Sequence, residues 1–353
     1  MISIILPIRN EFKFISKTLD SILNQDYSIG PLEIIIADGM SKDGTRDVIN
    51  KYQKKYTNIL LIDNPGKIVP TGFNLALSKA KGKVIIRIDG HSKINSDFIN
   101  NCIKTLRETD ADCVGGVTKH IADGMVGITI SIAQSSKFGV GGVAFRENVA
   151  KKGKYVDTLA FGAYKREVFE KIGGYDEELI RNQDDEFNLR LIQSDGKIWL
   201  DPSIKSIYYP RNSLNKLFKQ YFRYGFYKVR VMQKRQDFAS WRHLVPGIFI
   251  FFLLFSIILC PVFPFLFYLI FGSYLSANLI ASLFSSGKNS YASPCQFIIL
   301  LTLLPSIFFT LHFSYGLGFL FGLMKFWNKW NDMEVKDFHF NKDQFTNKLI
   351  DIK

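Results

Sequence analysis

Short apolar runs rich in β-branched residues alternate with segments of helical periodicity in the first part of the chain. The strand-like runs cover residues 2–6, 32–37, 59–62 and 84–88. The helix-like segments between them cover residues 12–23, 44–56 and 72–81. This alternation is typical of a mostly parallel sheet with helices packed on its faces. Because ligands of such sheets bind beyond the carboxyl ends of strands, we predict an α/β fold whose binding site lies where these strands end.

Polar clusters follow three of the predicted strands. They cover residues 7–11, 38–45 and 89–91 and read Pro-Ile-Arg-Asn-Glu, Asp-Gly-Met-Ser-Lys-Asp-Gly-Thr and Asp-Gly-His. A single cluster could simply cap a helix, and Ser41 and Asp43 are residue types that do so. Three clusters at successive strand ends favour a binding site over capping.

Motifs of several other protein classes are absent from the sequence. No Gly-x-Gly-x-x-Gly follows the first strand, and no Gly-Lys pair is followed by Ser or Thr, so a dehydrogenase or a P-loop enzyme is disfavoured. The four cysteines include no Cys-x-x-Cys pair. The sequence therefore indicates no zinc site and no disulfide framework.

The last third of the chain contains two long segments without charge. Residues 243–287 and 289–324 include no Asp, Glu, Lys or Arg. As a helix the first segment would extend about 67 Å, roughly twice the thickness of a bilayer core. Pro261 and Pro264 interrupt it, which favours two shorter helices. We predict a transmembrane region over 243–324 with two to four helices, the alternative being a buried soluble helix pair.

The positive charge of the chain is concentrated just before this region. The formal net charge is +13, and residues 205–242 contain ten Lys or Arg against one acid. Apolar positions recur there at helical spacing, which predicts a basic amphipathic interfacial helix over 211–242 that faces anionic lipid headgroups. Nucleic acid is the weaker interpretation. The domain at 1–210 would then lie on the cytoplasmic side of the cell (inner) membrane.

The tail at 325–353 carries Lys325, Lys329 and Lys336, which favours a cytoplasmic C-terminus and an even number of crossings, with three crossings left open. Membrane lipids are therefore expected partners.

Three motifs together resemble the donor-binding signature of family 2 glycosyltransferases with the GT-A fold. They are Pro7-x-x-Asn10-Glu11, Asp38-Gly39-x-Ser41-x-Asp43 and Arg87-x-Asp89-Gly90-His91. The stretch from Asn64 to His91 is similar in particular to the subgroup acting in succinoglycan-type exopolysaccharide assembly. The resemblance covers roughly residues 1–230. It implies a mixed GT-A sheet with flanking helices that binds a nucleotide sugar, with C-terminal transmembrane helices added.

The resemblance also implies roles on the donor side. Asp38 would accept the N3–H of a uridine base, because a carboxylate suits an imide donor. Asp89 would help to hold a divalent cation, Mn²⁺ or Mg²⁺, that neutralises the departing diphosphate. His91 stands where the common family pattern has a second Asp, and it is either a metal or diphosphate contact or a plain turn residue. The full set of expected nucleotide-sugar contacts is Pro7, Asn10, Glu11, Asp38, Ser41, Asp43, Asn74, Arg87 and Asp89.

On the acceptor side, the run Gln183-Asp184-Asp185-Glu186 resembles the Glu-Asp pair that precedes Leu-Arg-Leu in the family. Asp184 would then be the general base that takes the proton of an attacking sugar hydroxyl. Asp185 competes for this role, and the run could instead be a solvated helix start favoured by the helix macrodipole. Gln220-x-x-Arg223-Tyr224 resembles the family's Gln-x-x-Arg-Trp motif. Asp185, Gln220, Arg223 and Tyr224 are therefore expected near the acceptor or diphosphate.

These expectations combine into one functional hypothesis. The chain would be an inverting glycosyltransferase that moves a sugar from a nucleotide donor, UDP by preference, in a metal-assisted direct displacement. Its acceptor would be a polyprenyl-diphosphate-linked glycan or a growing polysaccharide. Two alternatives stay open: transfer to a polyprenyl phosphate, whose oxygen needs no base, and a non-catalytic membrane scaffold with a degenerate nucleotide-sugar site.

Overall fold

The computed structural model describes residues 1–27, 30–146, 152–210, 212–237, 240–287 and 293–347. The chain forms two compact units. The first takes in the described residues of 1–119, 148–208 and 334–353, and the second those of 120–147 and 209–333. This grouping differs from the sequence-based segments in two places, since 120–147 join the apolar helices and the tail from 334 joins the sheet. Residues 348–353 of the predicted tail lie outside the described residues.

The first unit begins with alternating strands and helices, as the apolar pattern predicts. They are β1 (Ile2–Ile8), α1 (Ile15–Leu23), β2 (Leu32–Asp38), α2 (Thr45–Lys55), β3 (Ile59–Asp63), α3 (Val69–Lys79) and β4 (Val84–Arg87). β1 extends two residues beyond its apolar run because Pro7 and Ile8 pair with Ala37 and Asp38. α3 starts three residues before its predicted beginning, since a proline such as Pro70 is accepted in the first turn of a helix.

The middle of the chain supplies the other half of the sheet. Its elements are β5 (Ser92–Ile94), α4 (Phe98–Glu108), β6 (Cys113–His120), α5 (Gly124–Ser135), α6 (Lys137–Val140), β7 (Lys154–Tyr155), β8 (Ala163–Lys165), α7 (Arg166–Ile172), α8 (Gln183–Gln193) and β9 (Ile198–Tyr208). Of these, α5 and α6 belong to the second unit. α5 is apolar but only 12 residues long, which explains why no charge-free segment marked it in the sequence.

The strands described form one mixed sheet in the order β3-β2-β1-β4-β8-β6-β9-β5, with β7 beside β9. β3, β2, β1 and β4 are parallel, whereas β8 pairs antiparallel to both β4 and β6. The prediction of a mixed α/β sheet with flanking helices is therefore confirmed. The carboxyl ends of β1, β2 and β4 meet at one edge, where Ile8 lies opposite Asp38.

Isoleucine layers hold this sheet together. Ile4 of β1 lies in register with Ile34 of β2 and Ile86 of β4, and all three side chains are fully buried. Each such side chain contributes about 1.5–3 kcal/mol by leaving water. The buried face of α1, with Ile15, Leu19 and Ile22, packs against the same cluster. The rigid core thus fixes the strand ends from which the polar clusters emerge.

The second unit contains the apolar helices. They follow α9 (Leu214–Arg235) and are α10 (Val245–Leu259), α11 (Pro264–Gly287) and α12 (Pro294–Lys325). Among the described residues, three helices are long and apolar enough to cross a membrane: Trp241–Leu259, Pro264–Gly287 and Pro294–Lys325. Three lies within the predicted range of two to four, and the break between α10 and α11 falls at the two prolines. A last short helix, α13 (Lys342–Asn347), belongs to the first unit.

α9 packs closely along α12. A Cβ atom on Gly225 of α9 would lie 2.0 Å from the carbonyl oxygen of Tyr315, and one on Gly318 of α12 would lie 2.0 Å from that of Phe222. Such backbone contact requires small residues, as in packed membrane helices. The apolar stripe of α9, with Leu217 and Val229 buried, is used against other helices of its own unit. The interfacial position of 211–242 remains a prediction.

Candidate active site

One arginine connects the donor-side and acceptor-side acids. Arg87 ends β4, and its Nη2 donates a hydrogen bond to Oδ1 of Asp89 at 2.8 Å. Its Nη1 lies 3.4 Å from Oδ2 of Asp184, which is 97 positions further along the chain than Arg87. The fold therefore brings the strand-end motif and the acidic run at 184–186 into one site.

The electrostatics of this site keep the strand-end acid ionised. Burial alone would raise the pKa of Asp89, but the positive charge of Arg87 and the hydrogen bond from its guanidinium act against burial, and that pKa lies below its usual range. Burial opposes the charge on Arg87, yet Asp89 and Asp184 among its neighbours raise the pKa of the guanidinium well above its usual value. The site therefore contains a fixed carboxylate and a fixed cation.

The acidic run forms the first turn of α8. Asn182, at φ 62°, takes the left-handed conformation that starts the helix, and the side chain of Asp184 is 43% exposed. Glu186 is fully buried, and both of its oxygens accept hydrogen bonds from Arg190 at 2.9–3.0 Å. Glu186 is therefore not available to remove a proton. Asp184 and the half-buried Asp185 remain as candidates, and of these two Asp184 is the one in contact with Arg87.

Asp38 closes the turn after β2. Its Oδ1 accepts the Ser41 hydroxyl at 2.5 Å, and its Oδ2 accepts the Ser41 N–H and Arg46 Nη1, each at 2.9 Å. The side chain is fully buried. In this conformation Asp38 presents no oxygen to a nucleotide base. Contact with the base, as the resemblance implies, requires the Ser41 hydroxyl to turn away first.

The loops after β1 and β2 form one hydrogen-bonded structure. The Asn10 N–H donates to Ser41 Oγ at 2.8 Å, and Asn10 Oδ1 accepts the Lys42 N–H at 3.1 Å. Asp43 accepts the Phe12 N–H through Oδ2 and both the N–H and the hydroxyl of Thr45 through Oδ1. Burial, the largest single effect, would raise the pKa of Asp43, but these hydrogen bonds together outweigh it and hold that pKa below its usual value. In this structure Asp43 thus makes the contacts that are expected of a helix-capping residue.

Two further expected donor contacts, Pro7 and Asn74, are buried away from any open surface. Pro7 lies within β1 opposite Ala37. Asn74 is fully buried in α3, where its side-chain Nδ2 donates to the carbonyl of Tyr175 and to Glu177, and its Oδ1 accepts the Tyr175 N–H. Asn74 therefore holds the loop that leads to α8 and, in this conformation, does not face a nucleotide.

The predicted acceptor motif lies in the second unit, on α9. Gln220 Nε2 donates to the Tyr224 hydroxyl at 2.9 Å, as expected for residues one helical turn apart. Arg223 is exposed, as are Lys216 and Lys219, which share its face of the helix. The motif at 220–224 thus combines a local hydrogen-bonded pair, Gln220 and Tyr224, with Arg223 of an exposed row of cations.

The relatives of the chain decide its family. The family model described as Glycosyl transferase family 2 matches residues 3–173. The dolichyl N-acetyl-α-D-glucosaminyl phosphate 3-β-D-2,3-diacetamido-2,3-dideoxy-β-D-glucuronosyltransferase of Methanococcus voltae is 33% identical over 335 residues, which are 92% of this chain and 97% of that protein. Succinoglycan biosynthesis protein ExoA of Rhizobium meliloti is 30% identical over 247 residues, 69% of this chain and 73% of ExoA. The chain belongs to glycosyltransferase family 2.

Solved structures show that this family 2 glycosyltransferase has a GT-A-like fold. The mannosyltransferase PcManGT from Pyrobaculum calidifontis, solved with GDP-Man and Mn²⁺, superposes with a TM-score of 0.54 at 17% identity, over 92% of this chain and 87% of that one. Staphylococcus aureus TarS 1–349, solved with UDP-GlcNAc, gives 0.50 at 16% identity over 86% and 90%. At such identities the likeness concerns the fold alone.

The family 2 resemblance implies a divalent cation, and the strand-end residues of this glycosyltransferase fit one. The described residues form no cluster of three or more His, Cys, Asp or Glu side chains that could hold a metal alone. His91 Nδ1, however, lies 2.9 Å from Glu11 Oε1, which places the ring proton on Nδ1 and leaves the Nε2 lone pair for a ligand. Asp89 and His91 would thus supply two ligands, and phosphate oxygens and water the others.

The structure adds one functional candidate, Arg181, that sequence patterns did not identify. The charge of Arg181 acts on Asp89, and its buried Nε has no hydrogen-bond partner among the described residues. The buried Nε of Arg87 is likewise without a partner in the described part of the chain. Unmet guanidinium donors beside the Asp89 carboxylate suit an anionic ligand. The only signal for Arg181 in the sequence was its place three residues before the acidic run.

Proposed function

We propose that this family 2 glycosyltransferase transfers a sugar from a nucleoside diphosphate donor to a hydroxyl group of a lipid-linked or polysaccharide acceptor, with inversion at the anomeric carbon. The observation that carries the proposal is the contact of Arg87 with both Asp89 and Asp184. A transferase of this kind needs a cationic site for the leaving diphosphate next to a carboxylate for the acceptor. Arg87 joins the two.

On the donor side, Arg87 and Arg181 bind the diphosphate through guanidinium groups that retain unmet donors. Two guanidinium groups pair well with phosphate oxygens, and each hydrogen bond strengthens as negative charge develops on the leaving group. Asp89 and His91 would hold a divalent cation, which would supply Lewis-acid stabilisation of that charge. Uridine is the proposed base, because Asp38 can accept its imide N3–H once Ser41 turns away.

On the acceptor side, Asp184 takes the proton of the attacking hydroxyl as the oxygen bonds to the anomeric carbon. The proton passes to a carboxylate oxygen, and the sugar–phosphate bond breaks with its electron pair on the diphosphate. A single displacement inverts the centre, so an α-linked donor gives a β-linked product. The Methanococcus relative is named for a β linkage, which agrees with this stereochemistry.

The proposed acceptor is a polyprenyl-phosphate- or diphosphate-linked sugar. The name of the Methanococcus relative specifies a dolichyl-phosphate-linked acceptor, and that of ExoA specifies succinoglycan biosynthesis. In this chain, three candidate membrane spans and the exposed cations Lys216, Lys219 and Arg223 of α9 are suited to a lipid-linked anion. The catalytic unit would work on the cytoplasmic face of the cell membrane.

The decisive experiment offers radiolabelled nucleotide sugars and membrane lipid extract to the full-length protein in nanodiscs. We expect label in the lipid fraction for the wild type, and its loss in Asp184→Asn with donor binding retained. Transfer that survives in Asp184→Asn and requires free polyprenyl phosphate would instead indicate the phosphate acceptor. Nucleotide-sugar binding without turnover by the wild type would indicate the scaffold.

A further inference from the structure

The segment that follows the last apolar helix folds onto the sheet unit. This tail strap, residues 334–345, contacts the loop at 173–178, which connects α7 to the approach of α8. The carbonyl of Lys336 accepts the Glu177 N–H at 2.7 Å, and Asp337 Oδ2 accepts the Gly174 N–H at 2.9 Å. The tail strap therefore accepts hydrogen bonds from two backbone N–H groups of the loop. A change in the position of the loop would break both hydrogen bonds.

A histidine adds a second attachment to the same loop. The His339 N–H donates to Glu177 Oε1 at 3.0 Å, and His339 Nδ1 lies 2.7 Å from Glu177 Oε2. The Glu177 side chain is 6% exposed and also accepts Asn74 Nδ2. The loop is thus held between α3 on one side and the tail strap on the other.

Aromatic burial fixes the tail strap itself. Phe345 is fully buried, and the Arg166 guanidinium lies 3.5 Å from the centre of its ring. The Phe340 ring packs against that of Phe345 at 5.2 Å, and the Ser78 hydroxyl donates to the His339 carbonyl. A charged group over a buried aromatic ring is a strong contact, so the strap has a firm base on the unit it joins.

The loop transmits its position to α8 through a second arginine. The Gly174 carbonyl accepts Arg190 Nη2 at 2.8 Å, and Arg190 also holds Glu186 of the acidic run. A larger residue in place of Gly174 would have to displace the Asn74 side chain, because a Cβ atom there would lie 2.5 Å from Asn74 Oδ1. Hydrogen bonds thus link Asp337 to Gly174, Gly174 to Arg190, and Arg190 to Glu186. Glu186 is two residues from Asp184.

We propose that the tail strap positions the catalytic helix, with Asp337 and His339 as positioning residues for Asp184. The proposal rests on the function proposed above, in which Asp184 is the base. Loss of the Asp337 contact leaves the Gly174 N–H without its acceptor and frees the loop whose Gly174 carbonyl binds Arg190 of α8. The contact between Arg87 and Asp89 lies outside this loop and is kept, so catalysis should fall by a larger factor than donor binding.

The test compares full-length Asp337→Ala with Asp343→Ala, which removes the same charge from an exposed position of the same segment. We expect Asp337→Ala to lower kcat by about 10- to 100-fold, the usual effect of a small misplacement of a catalytic group, and to raise the donor KM by a smaller factor. Asp337→Asn should restore most of kcat, because its amide oxygen still accepts the Gly174 N–H. Asp343→Ala should match the wild type.

Hydrogen exchange separates this proposal from the function on which it rests. Amides of residues 174–186 should exchange faster in Asp337→Ala than in Asp343→Ala, whether or not transfer is detected. Equal exchange, or equal kcat in the two alanine variants, would overturn the positioning role. A variant that is partly misfolded loses kcat and nucleotide-binding sites per chain by the same factor. If Asp337→Ala shows such equal losses, Asp337 supports folding only and the proposal also fails. A wild type without transfer activity contradicts the proposed function, and exchange alone then decides on the strap.

Discussion

Replacement of Asp184 by asparagine removes a proton acceptor and leaves the shape of the side chain almost unchanged. The amide oxygen can still accept the Asp185 N–H, a contact of 3.0 Å in this structure. It cannot take the proton of an acceptor hydroxyl. Because a positioned general base contributes about 10²- to 10⁴-fold, we expect kcat to fall by that factor, or by about 3–5 kcal/mol in the activation free energy.

The same substitution should have little effect on folding or on donor binding. The Arg87–Asp184 contact is long at 3.4 Å, and Asp184 is 43% exposed, so solvent screens the pair. Such pairs contribute at most about 1 kcal/mol to stability. Arg87 retains its shorter contact with Asp89, at 2.8 Å. Donor affinity, which depends on the Arg87 side of the site, should therefore change by less than about fivefold by the same estimate.

The assay measures single-turnover transfer from a saturating nucleotide sugar and donor binding by calorimetry on the same preparation. Asp185→Asn is the matched control, since it removes the neighbouring charge from the same helix turn. A kcat in Asp184→Asn above one tenth of the wild-type value would refute the reasoning. If Asp185→Asn shows the loss in its place, the base is Asp185.

Three further outcomes follow from contacts of this structure. Glu186→Gln breaks the buried pair with Arg190 and should destabilise the protein by about 3–5 kcal/mol in denaturant unfolding, whereas an effect on kcat alone would contradict a structural role. Arg181→Ala should raise the donor KM by about 10- to 100-fold, the value of a charge-assisted hydrogen bond, and leave unfolding unchanged; an unchanged KM would exclude it from the diphosphate site. His91→Ala should raise the Mn²⁺ concentration needed for half-maximal activity by at least about tenfold. Activity and metal dependence equal to those of the wild type would contradict a metal-binding role of His91.

The apolar pattern predicted the parallel half of the sheet because its strands are local. Each run of β1, β2 and β4 is buried on both faces, and such strands appear in a sequence as continuous apolar runs. Their parallel pairing then requires that polar residues directly after them share one edge. It could therefore be predicted without a structure that Asp89 and the turn at Asp38 lie at the same edge of the sheet.

The contacts that decide which polar group is accessible could not be predicted in this way. Asp38 is enclosed by Ser41 and Arg46, and Asn74 by a loop about one hundred positions away. Residue type and spacing are the same for a carboxylate that faces a ligand and for one that closes a turn. Only the folded geometry distinguishes them, which is also why Arg181 and the tail strap gave no clear signal.

The acidic run illustrates how tertiary contacts assign different roles to adjacent residues of one type. Helical geometry turns successive side chains by about 100°, so three consecutive acids must face three directions. Glu186 faces the core, where Arg190 neutralises it and ties the helix to Gly174. Asp184 faces Arg87 and remains partly exposed. The buried acid therefore fixes the orientation of the helix, and in the proposed mechanism that orientation directs the exposed acid to an acceptor beside the leaving diphosphate.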